Sequence, residues 1–198
     1  ILGNPGIGKS ALIAKVYKDL INSEDKLPIK YSKNTTNIGI PRNFLKVVSI
    51  AEGEFIWLLG DDDLLMPEAF PKIANLFNTN ENYDFFFINS NHLTTDYIFK
   101  YKQPFDTKNL PLNMIPVSKY KGTGPLPFID LINPKISFDF LGGMFHSIFR
   151  RRNWINYQHI LDSVAIEDMN TFSHFDNTFP HVKIFSKAFA KSNAYFFA

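Results

Sequence analysis

The sequence predicts an α/β fold with a mainly parallel central sheet flanked by helices, and three observations carry that prediction. Segments with helical and strand periods alternate along the first half of the chain. Phe55-Ile56-Trp57-Leu58-Leu59 is apolar without a break, as strands covered on both faces are in parallel sheets. That run stops at Gly60 and the consecutive aspartates Asp61, Asp62 and Asp63, at the strand end where open α/β sheets hold ligands.

The elements follow in order. Leu12, Val16 and Leu20, with Ile13 and Tyr17 beside them, repeat at helical spacing, and a polar connection over 22–26 ends that helix. Leu27-Pro28-Ile29-Lys30-Tyr31 reads as a short strand, followed by a polar loop over 32–37. Pro41 opens the next helix, with Phe44, Val47, Val48 and Ala51 on one face and Gly53 at its end. After the strand at 55–59, Pro67 starts a helix with an expected buried stripe of Phe70, Ile73, Ala74 and Phe77. Phe85-Phe86-Phe87-Ile88 is the next strand. Residues 102–137, rich in Pro, Asn, Lys and Gly, read as a long loop of the lid or acceptor-loop kind. Helices are expected over 142–152, 154–161 and 179–189, and no repeat or low-complexity tract is visible. The expected division is a donor- and metal-binding part over 1–95 and an acceptor-binding part over 96–198.

Composition narrows the function classes. A chain of 198 residues suits one α/β domain, alone or with a small appendage. Its 21 Phe can fill a sizeable core and also offer aromatic surface to an acceptor or partner. A net charge of +2 gives no global electrostatic case for nucleic acid. The basic run Arg150-Arg151-Arg152 reads either as a solvated helix end or as a contact for phosphate or an anionic membrane surface. The absence of cysteine excludes disulfides, thiolate zinc sites and cysteine nucleophiles. No apolar run approaches the ~20 residues that span a bilayer, and no signal peptide is visible. The sequence opens on Ile1 and stops within an apolar run, so both ends are expected to be cut from a longer protein.

Three adjacent carboxylates raise one another's pKa, and a divalent cation relieves the repulsion. Hard oxygen ligands of this kind suit Mg²⁺ or Mn²⁺. Read locally, the run is equally an acidic turn before the next helix. Its context is more specific. Asn37-Ile38-Gly39-Ile40-Pro41-Arg42-Asn43-Phe44, then Ala51-Glu52-Gly53-Glu54-Phe55-Ile56, then the apolar strand, the aspartates and Pro67-Glu68-Ala69 together resemble family-2-type glycosyltransferases of the GT-A fold. The resemblance covers about residues 12–90. It implies that Asp61, Asp62 and Asp63 hold a divalent metal against a nucleotide-diphosphate sugar, and that Asn37, Gly39 and Asn43 line the nucleotide-facing loop and helix. Many members carry D-x-D-D here, with an aspartate where this chain has Gly60, so the metal pair is either Asp61 and Asp63 or Asp62 and Asp63. On the residues alone, turn and cap chemistry explains Asn37, Gly39 and Asn43 as well.

A competing motif opens the chain. Gly3-Asn4-Pro5-Gly6-Ile7-Gly8-Lys9-Ser10 matches G-x-x-x-x-G-K-[ST], the phosphate loop of nucleotidases, and a helix follows it. Only Ile1 and Leu2 stand where its strand should be, and N-x-G and A-x-G-E have no role in such an enzyme. The same segment also overlays the transferase family's S-D-N-x-S-x-D-x-T turn, with Asn4 and Ser10 matching and Gly3 in place of an aspartate. A degenerate, purely binding transferase domain is a third reading.

An inverting transferase needs a carboxylate to take the acceptor hydroxyl proton. Relatives place it in the second half, within an E-D pair. Glu167-Asp168 matches that pair, and Asp176, ahead of the expected last helix, is the other candidate. A solvated turn and an N-cap are their structural alternatives. His146, His174 and His181 lack metal-binding spacing and read as structural. Gly142-Gly143 would bring a helix N-terminus near the sugar or diphosphate. The resemblance implies a glycan or lipid-linked acceptor, surface polysaccharide or glycan synthesis, and a cytoplasmic location with peripheral association at the inner face of a membrane.

Overall fold

A computed structural model describes residues 30–60, 63–100, 110–111, 114–138, 140, 142–170 and 172–198. The expected helix near 12–20, the strand residues 27–29, the glycine-rich segment 3–10, and Asp61 and Asp62 lie outside the described residues.

Helix α1 (Ile40–Ile50) carries Pro41 in its first turn, where the missing N–H has no intrahelical partner to lose. Gly39 precedes it at φ 77°, a left-handed conformation that side chains other than glycine enter at a cost. Then come β1 (Phe55–Trp57), α2 (Ala69–Thr79), β2 (Phe85–Ile88), β3 (Asn91–His92) and α3 (Thr95–Lys100). The second half supplies β4 (Ile115–Pro116), β5 (Gly124–Pro127), β6 (Ser147–Arg150) and α4 (Arg151–Tyr157). It closes with α5 (Ser163–Glu167), α6 (Phe175–Thr178), α7 (Pro180–Ala188) and β7 (Asn193–Phe197).

Among the described residues, the main sheet has five strands in the order β1-β6-β2-β7-β5. Only β2 and β7 pair in parallel; the other three pairings are antiparallel. The sheet is therefore mixed, which corrects the expectation of a mainly parallel one. Two segments cause the difference. The expected helix over 142–152 is instead a 3₁₀ turn (Met144–His146) followed by β6, inserted between β1 and β2 with Ile56 opposite Phe149 and Phe86 opposite Ile148. The segment 102–137, read as loop, contains β4 and β5. Pro125 and Pro127 have no N–H to donate, which suits β5 to the sheet edge it occupies.

Strand alternation divides the apolar side chains between two faces. Ile56, Phe85, Phe87, Phe149, Ala194 and Phe196 enter a core with Val48 of α1, Trp154 of α4 and Phe185 of α7. Phe86 and Ile148 enter the opposite layer with Ile73 and Leu76 of α2. The α2 stripe differs from expectation, because Phe70 and Ala74 are exposed and Ile73, Leu76 and Phe77 face the sheet. The expected helix over 154–161 begins earlier, as α4, and ends in a 3₁₀ turn at Gln158–Ile160.

The basic run is neither a solvated helix end nor a free cationic patch. Arg150 ends β6 as a buried residue, ion-paired with Glu54 and Asp84 and lying 4.5 Å over the Phe55 ring. Arg151 donates from Nε to the Val48 carbonyl at 3.0 Å, one of the last carbonyls of α1. Arg152 alone is largely exposed, 3.6 Å from Asp84.

Candidate active site

β1, β2 and β7 run in one direction, since β1 and β2 are each antiparallel to β6 and β7 is parallel to β2. Their C-terminal ends form one rim of the sheet. Gly60 and Asp63 follow β1 there, and the turn at Met144–His146 enters β6 from the same side. Two hydrogen bonds fix that turn: Trp57 Nε1 donates to the Phe145 carbonyl at 2.6 Å, and His146 Nδ1 lies 2.9 Å from the Ile88 carbonyl. His146 is buried and stacks on Phe87, with ring centroids 5.0 Å apart. This places His146 in the structural role expected of it. Gly142-Gly143 leads into a three-residue 3₁₀ turn rather than a helix, so no helix N-terminus is offered at that point.

α1 packs against the core beside the sheet. Its C-terminal end connects through residues 51–54 to the start of β1 and is held by Arg151 beyond the far end of β6. Asn37 and Gly39 stand just before the opposite, N-terminal end of the helix, and Arg42 lies in its first turn. Asn37 accepts the Gly39 N–H through Oδ1 at 3.0 Å, closing a local turn. Asn43 Oδ1 accepts from Asn34 Nδ2 at 2.6 Å, and Lys46 Nζ donates to Asn34 Oδ1 at 2.5 Å. The Asn37 bond is turn chemistry, the alternative to ligand contact for that residue, whereas Asn43 lies within α1 and bonds a loop side chain.

The carboxylate-bearing segment of the second half meets this helix end. Arg42 Nη2 lies 3.8 Å from Met169 Sδ, and a Cβ on Gly39 would stand 3.4 Å from the same sulfur. The structure thus brings Gly39 and Arg42 against the residue that follows Asp168, although 127 positions separate Arg42 from Met169. Glu167 ends α5 as an exposed residue. The Asp168 carboxylate accepts from Asn170 N at 2.8 Å and Asn170 Nδ2 at 2.9 Å, with His174 Nε2 at 3.8 Å. The Asn170 N–H, then Ser173 and the other donors, hold its pKa below the ordinary carboxylate value.

Asp176 is different in kind from an N-cap. It lies within the first turn of α6, buried, and its Oδ2 accepts from the Asp162 N–H at 2.7 Å and from Lys183 Nζ at 2.5 Å. Both bonds are internal to the protein, which leaves this carboxylate committed. His181 is buried with its ring edge-on to Phe185, and His174 is exposed beside Asp168.

Asp63 is half-buried, and its Oδ2 accepts the Gly60 N–H at 2.6 Å, tying the aspartate run back to the end of β1. Among the described residues no group of three or more His, Asp or Glu side chains is arranged to hold a metal ion. Asp61 and Asp62, the other members of the expected set, fall outside them. As donors the three carboxylates fit a hard divalent ion.

Sequence reading missed Arg42, Asp162, Asn177 and Lys183. Asp162 carried a legible signal, an acidic residue just before an apolar helical stretch, and its Oδ1 caps α5 by accepting from Val164 N and Ala165 N. Arg42 donates locally to the Ile38 carbonyl at 2.6 Å, but its reach to Met169, like the bonds of Asn177 and Lys183, joins other elements and leaves no local pattern.

Fold and rim together define a class: an α/β domain whose co-directional strands end on one side, where sheets of this kind bind ligands. The chain belongs to glycosyl transferase family 2, whose profile matches residues 9–156. The family carries the GT-A fold and uses nucleotide-sugar donors, so this is a glycosyltransferase domain. An abequosyltransferase, RfbV, of Salmonella typhimurium is 39% identical over 51 residues, which are 26% of this chain and 15% of that protein. The chain thus covers well under two thirds of that relative. Among the described residues no helix is long and apolar enough to cross a membrane.

Proposed function

We propose that the domain moves a sugar from a nucleoside-diphosphate donor to a hydroxyl of a glycan or lipid-linked acceptor, in surface polysaccharide or glycan synthesis at the cytoplasmic face of a membrane. The observation that carries this reading is the meeting of Gly39 and Arg42 with Met169, the residue after Asp168, while Asp63 follows β1 at the rim of the sheet. A donor lying along that rim would place its diphosphate near Asp61, Asp62 and Asp63 and its sugar toward Asp168. Residues 1–95 would serve the donor and residues 96–198 the acceptor.

Asp61, Asp62 and Asp63 would hold Mg²⁺ or Mn²⁺, which supplies positive charge to the departing diphosphate. Asn37, Gly39 and Asn43 shape the loop and helix start beside the nucleotide. Asp168, ionised at neutral pH as carboxylates ordinarily are, takes the acceptor hydroxyl proton as that oxygen bonds to the anomeric carbon and the carbon–diphosphate bond breaks. Glu167, exposed next to it, is the alternative base. Asp176 is not used in this role, because burial and two internal bonds occupy it.

The test compares Asp62→Asn and Asp63→Asn with Lys9→Ala, scoring Mn²⁺-dependent binding and hydrolysis across a panel of UDP-, GDP-, dTDP- and CDP-sugars. The aspartate variants should lose at least about 100-fold, the scale of a lost charge-stabilising group, and Lys9→Ala should stay within a few-fold. Loss of nucleotide binding in Lys9→Ala alone would instead support the phosphate-loop reading of residues 3–10.

A further inference from the structure

Helix α5 has five residues and little to hold it by ordinary means. So short a helix does not persist by its own hydrogen bonds. Of its side chains only Ala165 is buried, Ile166 is partly buried, and Val164 is 76% exposed. Yet this element ends in Glu167-Asp168, the pair that the reading above places at the reacting centre.

Two consecutive side chains of α6 grip both ends of it. Asp176 Oδ2 accepts the backbone N–H of Asp162, the residue that caps the start of α5, at 2.7 Å. Asn177 Nδ2 donates to the backbone carbonyl of Asp168, the residue that ends it. Asp176 is 6% exposed and Asn177 4%, and Lys183 of α7 supplies the charge that makes burying the Asp176 carboxylate tolerable. Apolar packing tolerates small sliding, whereas hydrogen bonds at both ends fix a short helix in position and rotation. A purely structural core position would be filled as well by apolar residues of the same volume, without the desolvation cost of a buried carboxylate and amide.

We infer that Asp176 and Asn177 are positioning residues, a two-point clamp that holds the backbone at both ends of α5 and so sets the Asp168 carboxylate, whose neighbour Met169 meets Gly39 and Arg42 of α1. This rests on the reading of Asp168 as the base. The titratable group facing that carboxylate is His174, on the turn before α6; Glu167 adjoins it in sequence, and Arg42 of α1 reaches the neighbouring Met169. The Asn170 N–H that keeps Asp168 acidic belongs to the turn that Asn177 anchors.

The experiment needs no substrate for its first readout. Asp168 is followed by carboxyl ¹³C NMR titration, its resonance assigned by loss in Asp168→Asn, and amide exchange is measured over residues 164–168. Asn177→Ala should raise the Asp168 pKa by about half a unit or more toward its ordinary value and speed exchange there by at least about tenfold. Asp176→Asn, which preserves the shape, should speed the same amides and serves if Asn177→Ala does not fold. Ile184→Val, a comparable loss in the core beside the clamp, should move neither readout. An unmoved pKa together with unchanged exchange in both polar variants overturns the clamp. The second readout is hydrolysis of the best-cleaved sugar nucleotide of the same panel. Asn177→Ala should lower kcat about tenfold or more with donor KM within about twofold, and shift the acid limb of kcat to higher pH. If the pKa moves but Asp168→Asn keeps full activity, the base assignment falls and the clamp stands.

Discussion

Asp162 and Asp168 show how single carboxylates serve a short element. The backbone N–H groups of Ala165 and Val164 lower the Asp162 pKa, and that of Asn170, ahead of Ser173, lowers the Asp168 pKa. A carboxylate whose folded pKa is depressed contributes stability that is complete above its unfolded value, about pH 4, and is lost as pH falls through the folded value. The 162–170 segment should therefore loosen before the sheet on acidification below about pH 4, seen as faster amide exchange at 164–168 than in β2 or β6. Replacing Asp162 with Ala should remove the cap, lower stability, and reduce that difference in acid response to the part that Asp168 carries.

Phe172 carries a different signature. It has φ 70° and is 78% exposed, although bulky side chains in the left-handed region cost about 1–3 kcal/mol. Its N–H donates to Thr178 Oγ1 at 3.1 Å, which holds the turn closed from the α6 side. Asn tolerates that backbone better, so Phe172→Asn should stabilise the protein by about 0.5 kcal/mol and raise Tm by a degree or two, read by calorimetry.

At the scale of elements, β6 organises the sheet and Arg150 secures its end. The guanidinium sits between Asp84 and Glu54 over the Phe55 ring, with Asn153 Nδ2 donating to Asp84 Oδ2 at 3.1 Å. Burial, and to a lesser degree Arg152, lowers its pKa, but a guanidinium remains charged throughout the range in which proteins fold. Removing it would leave Asp84, which is 32% exposed, partly uncompensated, while Glu54 would return to water. Arg150→Ala should therefore cost about 2–3 kcal/mol, below the cost for a fully buried pair, and urea melts would show it as a lower midpoint. Arg152→Ala, at a side chain 68% exposed, should stay within about 0.5 kcal/mol.

For the whole molecule, β1 and β2 are not hydrogen-bonded to each other; β6, some sixty residues further along the chain, lies between them. The two halves thus share one sheet and one core, with Phe149 and Phe185 of the second half packed against each other beneath β1 and β2 of the first. A chain ending at residue 100 should accordingly show no cooperative unfolding transition, while the full chain shows one, by circular dichroism against temperature. Independent folding of the shorter piece would mean that β1 and β2 can pair without β6.

What the sequence determined by itself was local in range. The α1 face, the strands at 55–57 and 85–88, the helix at 180–188 and the order of motifs around Asp61, Asp62 and Asp63 all lie within windows of a few turns, where apolar period and capping leave a record. Strand direction and strand order leave none. Ser147-Ile148-Phe149-Arg150 has four residues that fit a helix or a strand equally well, and pairing with Phe55-Ile56-Trp57 decided the matter across more than ninety positions. The same holds among the helices of the second half: Asp176 had the sequence of a candidate base, and only the approach of Lys183 and the Asp162 N–H, brought in by helix packing, made it an internal ligand. Side-chain type is written in the chain, but burial and partners are properties of contacts, and those are set by the tertiary fold.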